Sequence, residues 1–267
     1  MQFASQRSPT NQATTRWQDN LHARIARRRE GRSIFEHIVA LLTFALLCCE
    51  PAAALVGADV ADRAVQRYTV LVASAKGKCS GVVLAQDIVL TAAHCVQGAA
   101  NLQVGNSAGI GRQPLPQLTP VIETVQHPLY KPKDSGSPDL AILKLAKPLP
   151  GPFIPVVINP KSLAEGDDLI AAGYGQTSAN DKSVGTVLRM VLMRVSQTTR
   201  NWVMLVRTGE DETKGGHGDS GGPVFAYRGM HSLVAVIVGG TDNKTMAVAL
   251  SAHYGWIRET MEKLGAP

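Results

Sequence analysis

From residue 55 onward the hydrophobic residues fall in short runs, and turn-forming residues separate one run from the next. The runs have the length of β-strands, are rich in Val and Ile, and are bounded by Gly, Pro, Asp or Asn. The clearest runs are RYTVLVAS, GVVLAQDIVL, DLAILKLAKPLP, DLIAAGYG and SLVAVIVGG. The stretch GVVLAQDIVL also predicts a hairpin, with its turn near residues 85–87.

Only the C-terminal end of the chain has a helical pattern. In YGWIRETMEKL the apolar residues Trp256, Ile257, Met261 and Leu264 return to one face at helical spacing. Many strands followed by a single terminal helix favour an all-β fold, either a barrel or a sandwich. Residues 55–267 are numerous enough to fill two small barrels.

The first 54 residues differ from the rest of the chain. Polar residues 1–33 end in the basic run ARIARRREGR, a short apolar segment follows at residues 38–49, and three alanines stand at 52–54. A basic region, a short apolar core and a small-residue end are the parts of a secretory signal. We therefore expect a leader over residues 1–54, a second domain over residues 55–267, and a secreted or periplasmic protein. The alternative is an uncleaved membrane anchor formed by residues 34–54.

The charge of the chain adds little to this picture. The formal net charge is +6, and part of it lies in the arginine-rich leader. The mild positive balance of residues 55–267 does not indicate nucleic-acid binding, because a slightly basic, solvated surface explains it. Contact with a membrane is expected only if the leader stays uncleaved.

Cysteine and histidine usage bears on the compartment and on metal binding. Cys48 and Cys49 lie in the leader, so only Cys79 and Cys95 remain in residues 55–267. An exported pair can be joined by a disulfide, and two free buried thiols are the alternative. The seven histidines are scattered, without a close pair at ligand spacing. The sequence therefore predicts no metal site and no cofactor.

Three short stretches together contain the residue types of a nucleophilic site. LTAAHC places His94 at the end of a predicted strand, SPDLAILKL places Asp139 before another strand, and GDSGGP places Ser220 in a glycine-rich turn. A serine hydroxyl needs a base to take its proton, and histidine suits this role because its ordinary pKa lies near neutrality. The base in turn needs an acid that fixes its tautomer and stabilises its positive form.

Each of these stretches has a structural explanation when it is taken alone. A histidine after a strand is usually structural or solvated, an aspartate before a strand is usually a cap, and a glycine-rich turn can be only a turn. Their joint presence in the order His, Asp, Ser favours a catalytic site. An α/β-hydrolase is a second arrangement, with residues 218–222 as its nucleophile elbow, followed by Asp242 and His253. That fold needs strands alternating with helices, which the hydrophobic pattern does not predict.

The motifs resemble those of the trypsin/chymotrypsin-like serine peptidase family. LTAAHC and GDSGGP are highly specific for it, DLAILKL supports it, and the resemblance runs from about residue 55 to the C-terminal helix. HPLY at 127–130, AGYG at 172–175 and GWI at 255–257 also stand where the family has similar stretches. The resemblance implies two six-stranded antiparallel β-barrels, with the site in the cleft between them, and a C-terminal α-helix. It also implies a monomeric serine endopeptidase that acts on protein or peptide substrates.

The resemblance further implies roles for individual residues. Ser220 is expected to be the nucleophile that forms an acyl-enzyme, His94 the general base and then acid, and Asp139 the residue that orients His94. The N–H groups of Gly218 and Ser220 are expected to form the oxyanion hole, with the glycine leaving room for the approach of a carbonyl.

Two supports of the site also follow from the resemblance. Asp219 is expected to pair with the free α-amine of the mature N-terminus. LVGA begins at Leu55, so signal cleavage after Ala54 would produce that amine directly, and a later cut is the alternative. A disulfide between Cys79 and Cys95 is expected to brace the loop that carries the histidine.

The residues expected to set specificity depart from the family pattern. Lys214 stands six positions before the nucleophile, where a lysine would repel basic side chains and favour acidic ones. A shift of the loop GEDETKGG would instead bring one of its acids, at positions 210–212, into the pocket. The domain also lacks the disulfide that usually lies behind this pocket, because Gly216 stands where one cysteine would be.

The opposite wall of the expected pocket is altered too. VIVGG at 236–240 takes the place of the family's Ser-Trp-Gly strand, so the polar and aromatic residues are replaced. Val238 and Gly240 belong to this wall, and Thr245 stands where many members have a glycine. These changes keep open a second hypothesis, a weakly active or inactive homologue that acts as a protein-binding module.

Overall fold

A computed structural model of the chain describes residues 58–106, 118–175, 187–208, 219–228, 231–241 and 244–266. The chain divides into two units, residues 1–51 and 52–267, and all described residues belong to the second unit. The predicted leader and the predicted boundary after residue 54 lie outside the described residues. In the part of the chain that is described, no helix is both long enough and apolar enough to cross a membrane.

The described chain begins with a two-residue strand, β1 (Asp59–Val60), and a short helix, α1 (Arg63–Tyr68). The carboxylate of Asp62 caps this helix by accepting a hydrogen bond from the N–H of Val65 at 2.8 Å. The prediction of a single terminal helix was therefore wrong. A six-residue helix that buries only Val65 is too short to produce a hydrophobic period, and the apolar run of the next strand follows it directly.

Six antiparallel strands close into a first barrel. They are β2 (Thr69–Ser74), β3 (Gly77–Ala85), β4 (Ile88–Thr91), β5 (Gln103–Gly105), β6 (Leu118–Gln126) and β7 (Ala141–Leu145). Their order around the barrel is β2-β3-β4-β7-β6-β5, and β5 pairs back onto β2. The hairpin of β3 and β4 turns at residues 86–87, as predicted. A four-residue helix, α2 (Ala93–Val96), follows β4.

A second antiparallel barrel has six strands as well. They are β8 (Asp168–Gly173), β9 (Arg189–Thr198), β10 (Trp202–Arg207), β11 (Pro223–Ala226), β12 (Leu233–Thr241) and β13 (Lys244–Ala249). Their order is β8-β9-β10-β13-β12-β11, β11 pairs with β8 to close the ring, and β1 adds to the free edge of β9. The predicted pair of six-stranded β-barrels is confirmed.

The two barrels pack on each other through alternate residues of their strands. Successive side chains of a strand point to opposite faces. In β2, Val70 and Val72 belong to the apolar interior of the first barrel, whereas Leu71 belongs to a separate buried cluster. That cluster also contains Phe225 and Leu233 from the second barrel. Strands that are buried on both faces explain why the hydrophobic runs are continuous instead of alternating.

The C-terminal helix covers the joint between the barrels. A 3₁₀ turn (Leu250–Ala252) leads into helix α3 (Tyr254–Lys263). Ile257 is fully buried, and Trp256, Met261 and Leu264 pack in the same inter-barrel cluster. The helical face predicted from the sequence is therefore confirmed.

Candidate active site

Strand pairing brings His94 next to Asp139. β4 ends at Thr91, three residues before His94, and β7 begins at Ala141, two residues after Asp139. Thr91 and Ala141 are direct partners in the β4–β7 ladder. Both side chains therefore leave the same end of one strand pair, although 45 positions of sequence separate them.

Asp139 contacts both the ring and the backbone of His94. Its Oδ2 lies 2.6 Å from Nδ1 of the imidazole, and its Oδ1 accepts the backbone N–H of His94 at 2.8 Å. The His94 side chain is 38% exposed and that of Asp139 is 17% exposed. Because a carboxylate can only accept, the neutral imidazole carries its proton on Nδ1 in this arrangement. Nε2 is then the nitrogen that can accept a proton.

Ser220 lies in the turn before β11 and is held against the first barrel by its backbone. Its carbonyl oxygen accepts the N–H of Ser80 at 2.8 Å, and Ser80 follows Cys79 in strand β3. Within the described contacts, no hydrogen bond joins the Ser220 hydroxyl to His94. Such bonds are often long or poorly aligned in a free enzyme and shorten when substrate binds. The serine turn is thus hydrogen-bonded to strand β3, and Cys79 of this strand forms a disulfide with Cys95, the residue after His94.

Two glycines of the serine turn are needed for packing. Gly221 has a φ of 82°, and its N–H donates to the carbonyl of Ile237 at 2.7 Å. A Cβ at this position would collide with the carbonyl oxygen of Ser80 and the hydroxyl of Thr91. A Cβ on Gly222 would collide with the carbonyl oxygen of Ala172. The role expected for the glycines, room for the approach of a substrate carbonyl, concerns Gly218, which lies outside the described residues.

The carboxylate of Asp219 is buried beside the AGYG stretch. Asp219 is only 3% exposed, and its Oδ1 accepts the N–H of Gly175 at 2.9 Å. A Cβ on Gly173 or on Gly175 would overlap this carboxylate. The two glycines of AGYG therefore make room for Asp219, a role that the sequence argument did not find. Leu55, the expected partner of Asp219, lies outside the described residues.

A disulfide joins Cys79 and Cys95 and links β3 to the histidine helix α2. The alternative of two free thiols was wrong. Sγ of Cys95 lies 3.6 Å from Nε2 of His94, so the bridge lies directly against the candidate base. The ligand-type atoms of Cys79, His94 and Cys95 all lie within 4.8 Å of one another. Sequence reasoning missed this cluster, because Cys79 comes from a different strand.

A cleft of about 300 Å³ opens beside the His94–Asp139 pair. The first barrel contributes these two residues and the loop at 130–137, and the second barrel contributes Trp202, Val238, Met246 and Val248. The cleft thus lies between the barrels, as expected, and Val238 is one of its walls. Trp202 was not singled out from the sequence, because a tryptophan in a strand is an ordinary core residue.

Of the other residues expected in the specificity pocket, the structure describes Gly240 and Thr245. Gly240 and Thr245 are direct partners in the β12–β13 ladder, and Thr245 is buried. A Cβ on Gly240 would lie 2.6 Å from the carbonyl oxygen of Lys244. Lys214 lies outside the described residues. The structure therefore brings Gly240 and Thr245 together and places Val238 at the cleft.

His127 of the HPLY stretch contacts Trp256 of the GWI stretch and also His253, which precedes that stretch. Nε2 of His127 lies 3.2 Å from Nδ1 of His253, and the ring of Trp256 contacts that of His127 at a tilt of 56°, with 4.6 Å between centroids. Burial lowers the pKa of His127. Burial, with His127 and Arg200 nearby, lowers the pKa of His253 to about 4. His253 was the base of the α/β-hydrolase alternative, which the all-β fold excludes; Asp242, its acid, lies outside the described residues.

Comparison with known proteins agrees with the fold and the motifs. The family model of trypsin matches residues 55–257, and the chain therefore belongs to the trypsin family. The chain is 28% identical over 249 residues to cathepsin G of Mus musculus, with 85% of this chain and 92% of that protein covered. It is 27% identical over 252 residues to granzyme B of Rattus norvegicus, with 85% and 98% covered.

A solved structure shares the fold. It is that of neuropsin, a serine protease expressed in the limbic system of mouse brain. It matches with a TM-score of 0.64 at 19% identity, over 77% of this chain and 99% of that one. The trypsin family and the two relatives support the assignment of the chain to the serine-protease type of hydrolase.

Proposed function

We propose that this chain is an exported serine endopeptidase that hydrolyses peptide bonds through an acyl-enzyme. The observation that carries the proposal is the pair of hydrogen bonds between Asp139 and His94, in a chain whose Ser220 backbone is hydrogen-bonded to Ser80, the residue after Cys79 in strand β3. Few structural roles need an aspartate that accepts from both the backbone and the ring of one partly exposed histidine. A general base needs both bonds, because the first fixes the loop and the second fixes the tautomer.

In the proposed reaction, Nε2 of His94 takes the proton of the Ser220 hydroxyl as its oxygen attacks the peptide carbonyl. The imidazolium that forms is stabilised by Asp139 through Nδ1. His94 then gives the proton to the leaving amine, which leaves an acyl-Ser220 ester. Water hydrolyses the ester by the same steps in reverse, with His94 again as base.

Backbone N–H groups of Gly218 and Ser220 are proposed to hold the oxyanion of the tetrahedral intermediate. Loss of one such donor typically raises the barrier by about 3–4 kcal/mol. Asp219 is the proposed anchor of this loop, through an ion pair with the α-amine that cleavage after Ala54 leaves on Leu55. The Asp219 carboxylate, buried beside Gly173 and Gly175, is a suitable partner for this α-amine, because a buried acid needs hydrogen-bond donors around it.

The substrate of the proposed enzyme is a polypeptide, bound by a monomer and without a cofactor or nucleic acid. The cleft beside His94 is walled by Trp202, Val238 and Met246, which favours apolar side chains of the substrate. The residue next to the scissile bond would be selected by Lys214, Gly240 and Thr245, or by the acids near Lys214.

Export is proposed from the leader and from the disulfide. A signal-type segment precedes residue 55 in the sequence, and disulfides form and persist mainly in secreted or periplasmic proteins. An anchor formed by residues 34–54 would instead keep the same domain on a membrane.

A second candidate function is a protein-binding homologue that cleaves little. The observation in its favour is the altered wall of the cleft, where Val238 stands in place of the polar or aromatic residues of the family pattern. It would use the same inter-barrel cleft to hold a partner.

A peptide-library digestion distinguishes the two functions. The full chain and a chain that begins at Leu55 are incubated with the library, and new peptide ends are identified by mass spectrometry. We expect cleavage by the chain that begins at Leu55, and none by its Ser220→Ala variant. Binding of library peptides with equal, background cleavage in both proteins would contradict the proposal and favour the binding module.

A further inference from the structure

The two cysteines of the disulfide and His94, the candidate base, form a compact group of potential metal ligands. The Sγ atoms of Cys79 and Cys95 and a ring nitrogen of His94 lie within 4.8 Å of one another. Nε2 of His94 lies 3.6 Å from Sγ of Cys95. Two ligands of one tetrahedral zinc ion, with bonds of about 2.0–2.3 Å, are about 3.5 Å apart. This His94–Cys95 distance already has the value that a shared zinc ion requires.

The orientation of His94 also suits a metal. Zinc-bound histidines usually donate their second N–H to a carboxylate, which fixes the ring and raises the basicity of the ligating nitrogen. Asp139 occupies that position, at 2.6 Å from Nδ1, so Nε2 remains as the ligating atom. Since the His94 side chain is 38% exposed, a metal ion can reach the group from solvent, and water can supply a fourth ligand.

The disulfide is what keeps a metal out in the oxidised protein. Zinc binds thiolates strongly, and a disulfide sulfur is not a thiolate. Reduction of the Cys79–Cys95 bond by an external dithiol, which supplies two electrons and two protons and becomes a disulfide, would produce two thiols beside His94. Binding of one divalent ion then releases the two thiol protons and leaves a neutral site of two thiolates and one imidazole.

We infer that the reduced form of this protein binds one zinc ion through Cys79, Cys95 and Nε2 of His94. Metal binding and catalysis exclude each other, because Nε2 is the atom that must accept the proton of Ser220. A chain with its cysteines reduced is therefore held inactive by zinc. Thiol–disulfide exchange with a second disulfide, which is itself reduced to two thiols, forms the Cys79–Cys95 bond, expels the ion and frees the base. The inactivation rests on the proposed function, whereas the binding of zinc does not.

Cobalt and zinc ions alone test the site, in the full chain. Cys48 and Cys49 are first replaced by serine, so that the leader thiols do not contribute. The disulfide is reduced with a water-soluble phosphine, which takes up oxygen from water to become the phosphine oxide as the two thiols form. Circular dichroism then checks that the β-rich spectrum is kept. Cobalt is titrated into the reduced chain, and its thiolate charge-transfer absorption is followed.

We expect one cobalt ion per reduced chain, displaced by one zinc ion, since zinc binds such sites more tightly. The oxidised chain should show no thiolate absorption. Replacing both Cys79 and Cys95 by serine should abolish it, and His94→Ala should weaken zinc binding strongly. Asp139→Asn should weaken zinc binding by about 10- to 100-fold, the usual effect of losing a partner of a ligating histidine.

The Ser220→Ala variant separates this inference from the proposed function. It lacks the nucleophile and should bind cobalt and zinc as the parent does. A reduced chain that binds no cobalt, or that loses its β-rich spectrum on reduction, contradicts the zinc site. Binding that is unchanged in His94→Ala contradicts it too, because two thiolates alone would then hold the ion. None of these results bears on whether the oxidised protein cleaves peptides.

Discussion

Both carboxylate oxygens of Asp139 bind His94, one at the ring nitrogen Nδ1 and the other at the backbone N–H. The same side chain therefore sets the tautomer of the imidazole and the position of the helix turn that carries it. This double contact distinguishes Asp139 from an ordinary cap, which would bind the backbone alone.

Asp139→Asn should inactivate the protein without unfolding it. An asparagine can accept only through its oxygen, so it cannot serve both the ring and the backbone of His94 as acceptor. The wrong tautomer of a triad histidine typically lowers kcat by about 10⁴-fold. We expect a loss of that size in peptide hydrolysis, with KM changed little and the thermal midpoint near that of the parent. Asp168→Asn, at an exposed aspartate that binds Arg194, is the control and should leave kcat unchanged.

Gly221→Ala should destabilise the fold as well as the site. A Cβ there would meet the Ser80 carbonyl and the Thr91 hydroxyl at a left-handed φ of 82°. Gly151 is a matched control, because its φ is 88° and a Cβ would meet nothing within 4 Å.

The difference between the two alanine variants isolates the close contact. Strain alone should lower the free energy of unfolding of Gly151→Ala by about 1–2 kcal/mol. Overpacking should add about 1–3 kcal/mol in Gly221→Ala. Urea unfolding measures both values. Equal losses in the two variants would show that the serine turn does not pack tightly against the first barrel.

Ser80→Ala should weaken the contact between the barrels. The Ser80 hydroxyl oxygen accepts the buried N–H of Tyr174 at 2.9 Å, and the residue is fully buried. Leaving that N–H without its acceptor should lower the free energy of unfolding by about 1–3 kcal/mol. Ser162→Ala, at an exposed serine in the segment before β8, should change it by no more than about 0.5 kcal/mol. Urea unfolding of both variants checks the prediction, and a neutral Ser80→Ala would refute it.

The motifs predicted residues that lie close together along the chain. The resemblance to the family predicted residues at positions that match the family pattern. LTAAHC and GDSGGP led to His94 and Ser220, the apolar runs led to an all-β fold, and the resemblance led to the two six-stranded barrels. In contrast, the role of Gly173 and Gly175 depends on a carboxylate that lies far away in sequence. The position of Trp202 in the cleft also follows from strand pairing, which no local pattern contains. Helix α1 was not predicted because six residues with one buried side chain show no hydrophobic period.

The metal-ligand cluster illustrates the same limit. The sequence shows His94 and Cys95 as neighbours, and Cys79 appears only as a disulfide partner. The approach of Nε2 to Cys95 depends on how Asp139 turns the ring. Spacing rules detect ligands on one helix or hairpin, and this group comes from a strand and a helix that the barrel brings together.

The buried histidine pair should make the protein less stable in acid. The pKa of His253 is lowered to about 4 from an ordinary value of 6.5, first by burial and then by His127 and Arg200. Between these two values the unfolded chain binds a proton that the folded chain does not. Stability is therefore greatest above pH 6.5 and falls as the pH falls toward 4. The loss from His253 should reach about 3 kcal/mol at most.

A variant at His253 isolates this contribution. His253→Phe removes the titrating group, so its free energy of unfolding should fall less between about pH 7.5 and about pH 4.5 than that of the parent. The control is His231→Asn, because His231 is partly exposed and asparagine tolerates its φ of 46°. Urea unfolding at the two pH values measures the slopes. An unchanged slope in His253→Phe would mean that this pair does not cause the acid sensitivity.

Labelling with a fluorophosphonate tests the central claim most directly, because the reagent reacts with a serine only when a base activates it. The oxidised chain beginning at Leu55 is treated beside its Ser220→Ala and His94→Ala variants, and the labelled residue is identified by mass spectrometry. We predict one label on Ser220, none in Ser220→Ala, and labelling slowed by at least about 10³-fold in His94→Ala. A folded, β-rich protein with a free Leu55 terminus that takes up no label on Ser220 would contradict the account.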